Sequence, residues 1–238
     1  MTDWYTYINN SSEMMQPKKN QLRKYNWLVR RIRTETLAEK IKKYASGTLV
    51  DIGCGEKPYT ALTQDVVTRH IGVDHPDTRH NQRNINIFAS AYNTTLPNAS
   101  ADTVLCTAVL EHLEQPKEAI QEMYRILKCG GYVILTAPFF WHLHEEPRDF
   151  YRYSKYGLEY LFTKAGFQIV EITPLSGFVV TFAQELCYFL ERFRYRRYLT
   201  WPISVLQFLI QWIAYRLHRW DKSYGFTWLY LVVAQKRN

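Results

Sequence analysis

Two stretches of this 238-residue chain place chemically capable residue types at informative spacings. The first is Leu49-Val50-Asp51-Ile52-Gly53-Cys54-Gly55. An apolar run passes into an acid and then Gly-x-Gly, a turn tight enough for the backbone to approach a ligand closely. Pro58 stands where a dinucleotide-binding turn wants its third glycine, so the loop fits a pyrophosphate poorly. Asp51, two residues before the first glycine, suits a ligand carrying positive charge. Asp74, closing the next apolar run, is placed to accept both hydroxyls of a ribose. The second stretch is Pro138-Phe139-Phe140-Trp141-His142-Leu143-His144-Glu145-Glu146. Imidazoles titrate near neutrality and can take a proton. His144 is the first candidate for a general base and His142 the second, with Glu145 placed to orient either. A hydrogen-bonded structural histidine is the competing reading for both, and His112 reads as a brace for the helix that follows it. The cysteines (Cys54, Cys106, Cys129, Cys187) form no Cys-x-x-Cys pair, so they read as buried thiols of a reducing, cytoplasmic setting, and no metal is assigned.

These groups need elements to hold them. Thr48–Asp51, Arg69–Asp74, Ala101–Cys106, Tyr132–Ala137, Phe167–Ile172 and Phe226–Ala234 read as strands. Asn20–Tyr44 has the apolar spacing of a helix with a basic outer face, and Gln115–Lys128 reads as a helix stopped by Gly130-Gly131. Ser154 caps a further helix to about Ala165, and Gly166 ends it. That cap separates Tyr151 from Lys155, so their Tyr-x-x-x-Lys spacing is coincidental. Strands alternating with helices predict an α/β fold: a doubly wound, mostly parallel Rossmann-like sheet with an antiparallel last strand and a helical insertion before it. The expected organisation is a basic helical segment at 1–45, a core at 46–175, a helical insertion at 176–224 and the final core strand at 225–238. The histidine stretch then lies at the carboxyl end of the fifth strand, where open sheets bind ligands.

Several blocks in order resemble the class I S-adenosylmethionine-dependent methyltransferases, over about 49–167. Val50 to Gly55 is similar to their first cofactor motif and Gly72-Val73-Asp74 to their ribose-binding acid. Leu96-Pro97 through Val104, with Val109-Leu110-Glu111-His112, resembles the fourth-strand block. Arg125-Ile126-Leu127-Lys128-x-Gly130-Gly131 resembles the helix and turn before the fifth strand. Gly53-Cys54-Gly55-x-x-Pro58-Tyr59 and Pro147 through Tyr153 are similar to a bacterial subgroup of the type 11 methyltransferases tied to cell-surface glycan synthesis. The resemblance implies S-adenosylmethionine as cofactor, with Asp51, Gly53, Cys54 and Gly55 under its methionine part, Asp74 on the ribose and Thr107 along the methionine side. Where the family often has an acid for the adenine amine, this chain has Ser90, followed by Ala91. Methyl transfer then needs an aligned nucleophile and a base, and the aromatic rings of 139–141 are available to face the sulfonium. The expected acceptor is an oxygen of a sugar or lipid-linked glycan. The alternatives are a lipid or quinone-type small molecule, or a scaffold that binds the cofactor without turnover. Arg148, Arg152 and Tyr153 are read either as an anion grip or as pins for their loop.

The net charge of +8 is uneven. Residues 1–45 and 192–222 each carry +6, and the rest carries −4. No appended RNA-binding module is recognised, which sets nucleic acid aside as a partner. No secretory signal is read in the first sixteen residues. Leu199–Tyr215 is free of charge, with Ser204, Gln207 and Gln211 as a narrow polar stripe and Trp201, Trp212 and Trp220 within or just after it. Three readings stay open for it: a lid or homodimer helix, a helix on an anionic membrane surface, or a span. The span is disfavoured because the chain must return to the sheet.

Overall fold

The computed structural model describes residues 25–78, 81–195 and 197–237. Runs of β-branched and aliphatic residues form one seven-stranded sheet: β1 (Thr48–Ile52), β2 (Arg69–Asp74), β3 (Ile87–Phe88), β4 (Ala101–Thr107), β5 (Leu127–Pro138), β6 (Phe167–Pro174) and β7 (Leu229–Lys236). Their spatial order is β3-β2-β1-β4-β5-β7-β6. Neighbours from β3 to β5 are parallel, and β7 runs antiparallel between β5 and β6. The fold is therefore the Rossmann-like α/β sheet expected, with its antiparallel last strand lying inside the sheet and β6 at the edge.

Alternate strand residues supply two cores, as they must when both faces are covered. On one face Val50, Ile52, Val104, Val133 and Val232 pack against α3 (Pro116–Ile126) and α4 (Lys155–Lys164), through residues such as Ile120, Met123, Leu158 and Phe162. On the other, Leu49, Leu105, Ile134 and Leu231 meet Leu28, Ile32, Leu37 and Ile41 of α1 (Trp27–Tyr44). Each such aliphatic side chain contributes about 1.5–3 kcal/mol on burial. A one-turn α2 (Thr60–Thr63) follows the glycine loop.

Some boundaries move. The helix expected from Asn20 begins at Trp27, and residues 20–24 lie outside the described ones. The basic face holds for Arg30, Arg31, Lys42 and Lys43, but Lys40 is buried, where Glu171 of β6 accepts from its Nζ at 2.8 Å. The helix before β5 stops at Ile126, because Leu127 already pairs with Ala101 and the strand bulges past Gly130 before Tyr132 takes up Thr103. Cys129 sits on that bulge and is exposed, unlike the buried thiols of Cys54, Cys106 and Cys187. Ser154 caps α4 as expected, accepting from Gly157 N–H at 3.1 Å.

The stretch between β6 and β7 holds α5 (Phe178–Glu191) and α6 (Thr200–Leu217). Its polar stripe faces inward. Gln207 donates to Cys187 O at 2.9 Å and to Glu191 Oε1 at 2.7 Å, and Gln211 Oε1 accepts from Leu28 N–H at 3.1 Å. Gln184 of α5 donates to Tyr25 O at 2.8 Å. With the glutamines inside, Trp201, Leu206, Phe208, Leu209, Trp212 and Ile213 are left exposed. Among the described residues, no helix is long and apolar enough to cross a membrane.

Candidate active site

The glycine loop leaves β1 at the point where the chain turns to β2 on one side and β4 on the other. Open sheets bind ligands at such a switch point. Gly53 and Gly55 have φ of +70° and +50°, in the left-handed region that disfavours a side chain. A Cβ on Gly53 would also collide with the side chain of Val109. Gly53 and Cys54 both donate to Val73 O, which seats the loop against β2. Gly55 N–H donates to Asp74 Oδ2 at 2.7 Å, and His75 N–H donates to Oδ1 at 2.7 Å. The carboxylate at the end of β2 is thereby aimed by two amides, and each oxygen keeps a lone pair for a ribose hydroxyl.

Asp51 is buried, and burial raises its carboxyl above the usual range against the pull of His70. His70 Nε2 lies 3.3 Å from Asp51 Oδ2, and its Nδ1 lies 3.0 Å from Thr63 Oγ1. Sequence reading missed this Thr63–His70–Asp51 chain, because His70 is alternate in a strand whose pattern gives no sign of its partner. Burial, with Asp51 and Asp74 nearby, pushes the Cys54 thiol up to about 12, so it stays protonated and inert. Thr107 ends β4 beside Thr136 of β5. Ser90 and Ala91 follow β3, where Ser90 Oγ accepts from Tyr92 N–H at 3.2 Å and braces the turn. An acid-containing loop, two left-handed glycines and an aimed carboxylate suit a ligand that combines a cationic amino acid part with a ribose.

The histidine stretch divides. His144 comes together with two residues that follow β4, Glu111 and His112. Its Nε2 lies 4.0 Å from Glu111 Oε1, and His112 Nε2 lies 3.9 Å from the same oxygen. The two rings meet edge to face, with centroids 5.0 Å apart. Glu111 is 1% exposed, and its Oε2 has no hydrogen-bond partner. Burial pushes its carboxyl up to about 8. Burial likewise lowers His144, favouring the neutral imidazole that a base requires. His112, expected as a brace, donates from Nδ1 to Arg148 O, 2.6 Å away, and its Nε2 faces the cluster.

His142 points elsewhere, with Nδ1 3.1 Å from Glu185 Oε1 of α5 and its ring 4.4 Å from that of Tyr188. Glu145 orients neither histidine as expected; it is exposed, and its Oε2 lies 3.7 Å from His112 Nε2. The groups in its place are Asp149 at His144 and Glu185 at His142. The rings of 139–141 are also engaged: Phe139 with Tyr230, Phe140 with Phe182, and Trp141 with Trp228 and Tyr188. Arg152 pins the loop. Its guanidinium donates to both Asp149 oxygens at 2.6 and 2.7 Å, to His142 O at 2.7 Å and to Trp141 O at 3.1 Å. Tyr153 is a pin too, donating to Leu110 O at 2.9 Å.

Residues 50–135, just over a third of the chain, match the family model described as a methyltransferase domain. A protein named "Probable S-adenosylmethionine-dependent methyltransferase" from Mycolicibacterium smegmatis is 28% identical over 113 residues, 44% of each chain. The ubiquinone biosynthesis O-methyltransferase of Nitrosomonas europaea is 28% identical over 144 residues, 55% of this chain and 57% of that one. The matched segment thus spans about half or less of these curated relatives. Among solved structures, a Haemonchus contortus phosphoethanolamine N-methyltransferase in complex with S-adenosyl-L-methionine superposes with a TM-score of 0.53 at 18% identity, covering 94% of this chain and 58% of that one. The cyclase SpnF superposes with a TM-score of 0.57 at 19% identity, covering 86% and 80%. Likeness at these identities is likeness of fold, and a cyclase shares it. Residues 50–135 match a methyltransferase domain, and the sheet around them has the fold of the class I methyltransferases.

Proposed function

We propose that this chain transfers a methyl group from S-adenosylmethionine to an oxygen of a sugar or lipid-linked glycan held at a membrane surface. One observation carries the enzymatic reading: Val109, two residues before Glu111, packs against Gly53, so the cofactor loop and the Glu111–His112–His144 cluster share one end of the sheet. When bound, S-adenosylmethionine supplies an electrophilic methyl on a cationic sulfur. Gly53, Cys54 and Gly55 would run beneath its methionine part, Asp51 would offset its positive charge, and Asp74 would hold its ribose. The turn at Ser90-Ala91 would border the adenine, and Thr107 would line the methionine side. An acceptor hydroxyl must lose its proton as the carbon–oxygen bond forms, and the Glu111–His112–His144 cluster is where we place that loss, with Asp149 positioning the His144 ring. His142, tied to Glu185, belongs to the wall facing α5.

The outward apolar face of α6 supports a lipid-linked acceptor. A helix that buries glutamines and presents tryptophan, phenylalanine and leucine suits contact with acyl chains. Arg192, Arg216, Arg219 and Lys222, all exposed, flank α6 in sequence and suit anionic headgroups. The likeness to a ubiquinone biosynthesis O-methyltransferase favours, as second reading, a quinone-type small-molecule acceptor. The test is labelled methyl transfer from S-adenosylmethionine onto extracted glycolipids, soluble glycans and quinone precursors. Label in an alkali-stable ether on the glycan fraction is the expected result. Label only on quinone precursors would replace the acceptor, and cofactor binding without transfer to any fraction would leave a scaffold.

A further inference from the structure

We propose that Glu111, His112 and His144 are the ligands of one divalent transition-metal ion, of the zinc class. The two imidazoles are presented as metal ligands usually are, with one nitrogen held from behind and the other free. His112 Nδ1 lies 2.6 Å from the carbonyl of Arg148, which can only accept, so the proton sits on Nδ1 and Nε2 keeps its lone pair. His144 Nδ1 lies 3.4 Å from Asp149 Oδ2 and 3.5 Å from Arg152 Nη2. Both hydrogens of that Nη2 are already donated, to Asp149 Oδ2 and to His142 O. In the tautomer with its hydrogen on Nδ1, facing that carboxylate, His144 Nε2 is again free.

Both free nitrogens converge on Glu111 Oε1, and the three donor atoms lie within 4.8 Å of one another. Glu111 is 1% exposed and its Oε2 is orphaned, a costly state that a cation would relieve. No described residue gives that oxygen a hydrogen bond. Zinc bonds of about 2.0–2.2 Å set ligand atoms roughly 3.3 Å apart, so the side chains must draw in by roughly an ångström. Two imidazoles and one carboxylate leave a coordination position open, as catalytic sites do. Glu145, exposed and with Oε2 3.7 Å from His112 Nε2, lies beside the cluster. The ion would bind the acceptor oxygen at the open position and ease loss of its proton, so that the hydroxyl's proton leaves to solvent rather than to His144. That role rests on the methyl-transfer reading; the metal site itself rests only on its geometry.

The test uses the full chain, stripped with chelator and titrated with Co²⁺ and Zn²⁺. The expected result is one Co²⁺ per chain with a visible d–d spectrum that Zn²⁺ displaces, and at least tenfold weaker binding in Glu111→Gln and His144→Ala. Absence of saturable binding, or equal affinity in both variants, would overturn the site. Should a variant fail to fold, X-ray absorption of the zinc-loaded wild type decides: imidazole scattering with a nitrogen or oxygen shell near 2.0 Å is expected, and a sulfur shell near 2.3 Å refutes it. Methyl transfer that survives complete metal removal sinks the ion's catalytic role and leaves the methyl-transfer reading standing. Stoichiometric metal binding without any transfer sinks the enzymatic reading and leaves the site.

Discussion

Phe208 and Gln207 are neighbours in sequence with opposite surroundings, and substituting each alone separates membrane contact from folding. Phe208 is 60% exposed and Gln207 is 2% exposed. A large aromatic offers about 200 Å² when fully exposed, so Phe208 keeps about 120 Å² in contact with water. At about 25 cal/mol per Å² its complete withdrawal from water is worth about 3 kcal/mol, and half-immersion at a headgroup boundary about 1.5 kcal/mol. Phe208→Ala should therefore weaken partition into anionic vesicles about tenfold, while changing folding stability by less than about 0.5 kcal/mol. Gln207→Leu should do the reverse. It strips the donor from Cys187 O and Glu191 Oε1, costing about 1–3 kcal/mol of stability, and leaves partition unchanged. Flotation with phosphatidylglycerol vesicles at low and high salt measures the first, and thermal unfolding the second. Salt should weaken binding, since Arg216 and Arg219 flank Trp212 and Trp220 with guanidinium–ring distances of 5.6 and 4.5 Å. Partition unchanged in Phe208→Ala refutes the membrane assignment. A wild-type dimer in lipid-free solution that Phe208→Ala dissociates would show instead that a second copy covers this face.

Gly53→Ala meets Val109 and an unfavourable φ, so it should weaken S-adenosylhomocysteine binding at least tenfold by calorimetry; undiminished affinity would remove the loop from the cofactor site. Arg152→Lys loses the paired bonds to Asp149, and with them the placement of His144. It should lower kcat at least tenfold with KM for S-adenosylmethionine little changed. Glu122 predicts the acid limb of stability. Burial raises its carboxyl, but Arg125 at 2.7 Å and the N–H and hydroxyl of Thr94 at 2.7 and 2.6 Å outweigh this and hold it below the usual range. A folded-state value below the unfolded one of about 4.3 means the contribution is complete above that pH and is lost as pH falls through the folded value. Tm measured from pH 6 to pH 2.5 should fall across that window in the wild type, and Glu122→Gln should start lower and fall less.

Much of the architecture was legible because it is local. A strand of β1 type shows as a five-residue apolar run, and a glycine pair after it shows where the backbone must bend. Ser154 announced α4 because an N-cap acts within one turn. The two-residue β3 had no such signature, and the helix before β5 was read two residues too long because its end is decided by pairing of Leu127 with Ala101. For the candidate site, Asp51, Gly53, Gly55, Asp74 and His144 were named from type and position alone. Glu111 and His70 were not, since their partners His144 and Asp51 lie 33 and 19 residues away in sequence, and Asp149 was not, since its partners Arg152 and His144 meet it only within a folded loop.

The sequence by itself determined that α6 carries a polar stripe on an otherwise apolar helix, that basic residues flank it, and that a glycine loop with two acids lies ahead of a histidine-bearing strand end. Only the tertiary structure decided which way each of these faces. The stripe turned inward because the amide groups of Gln207 and Gln211 find partners on α5 and α1, and the aromatic side was left outward. Glu111 became a buried carboxylate with an orphaned oxygen because the loop bearing His144 folds over it. Periodicity records how side chains are distributed around an axis, and contact with distant segments decides which side is inside.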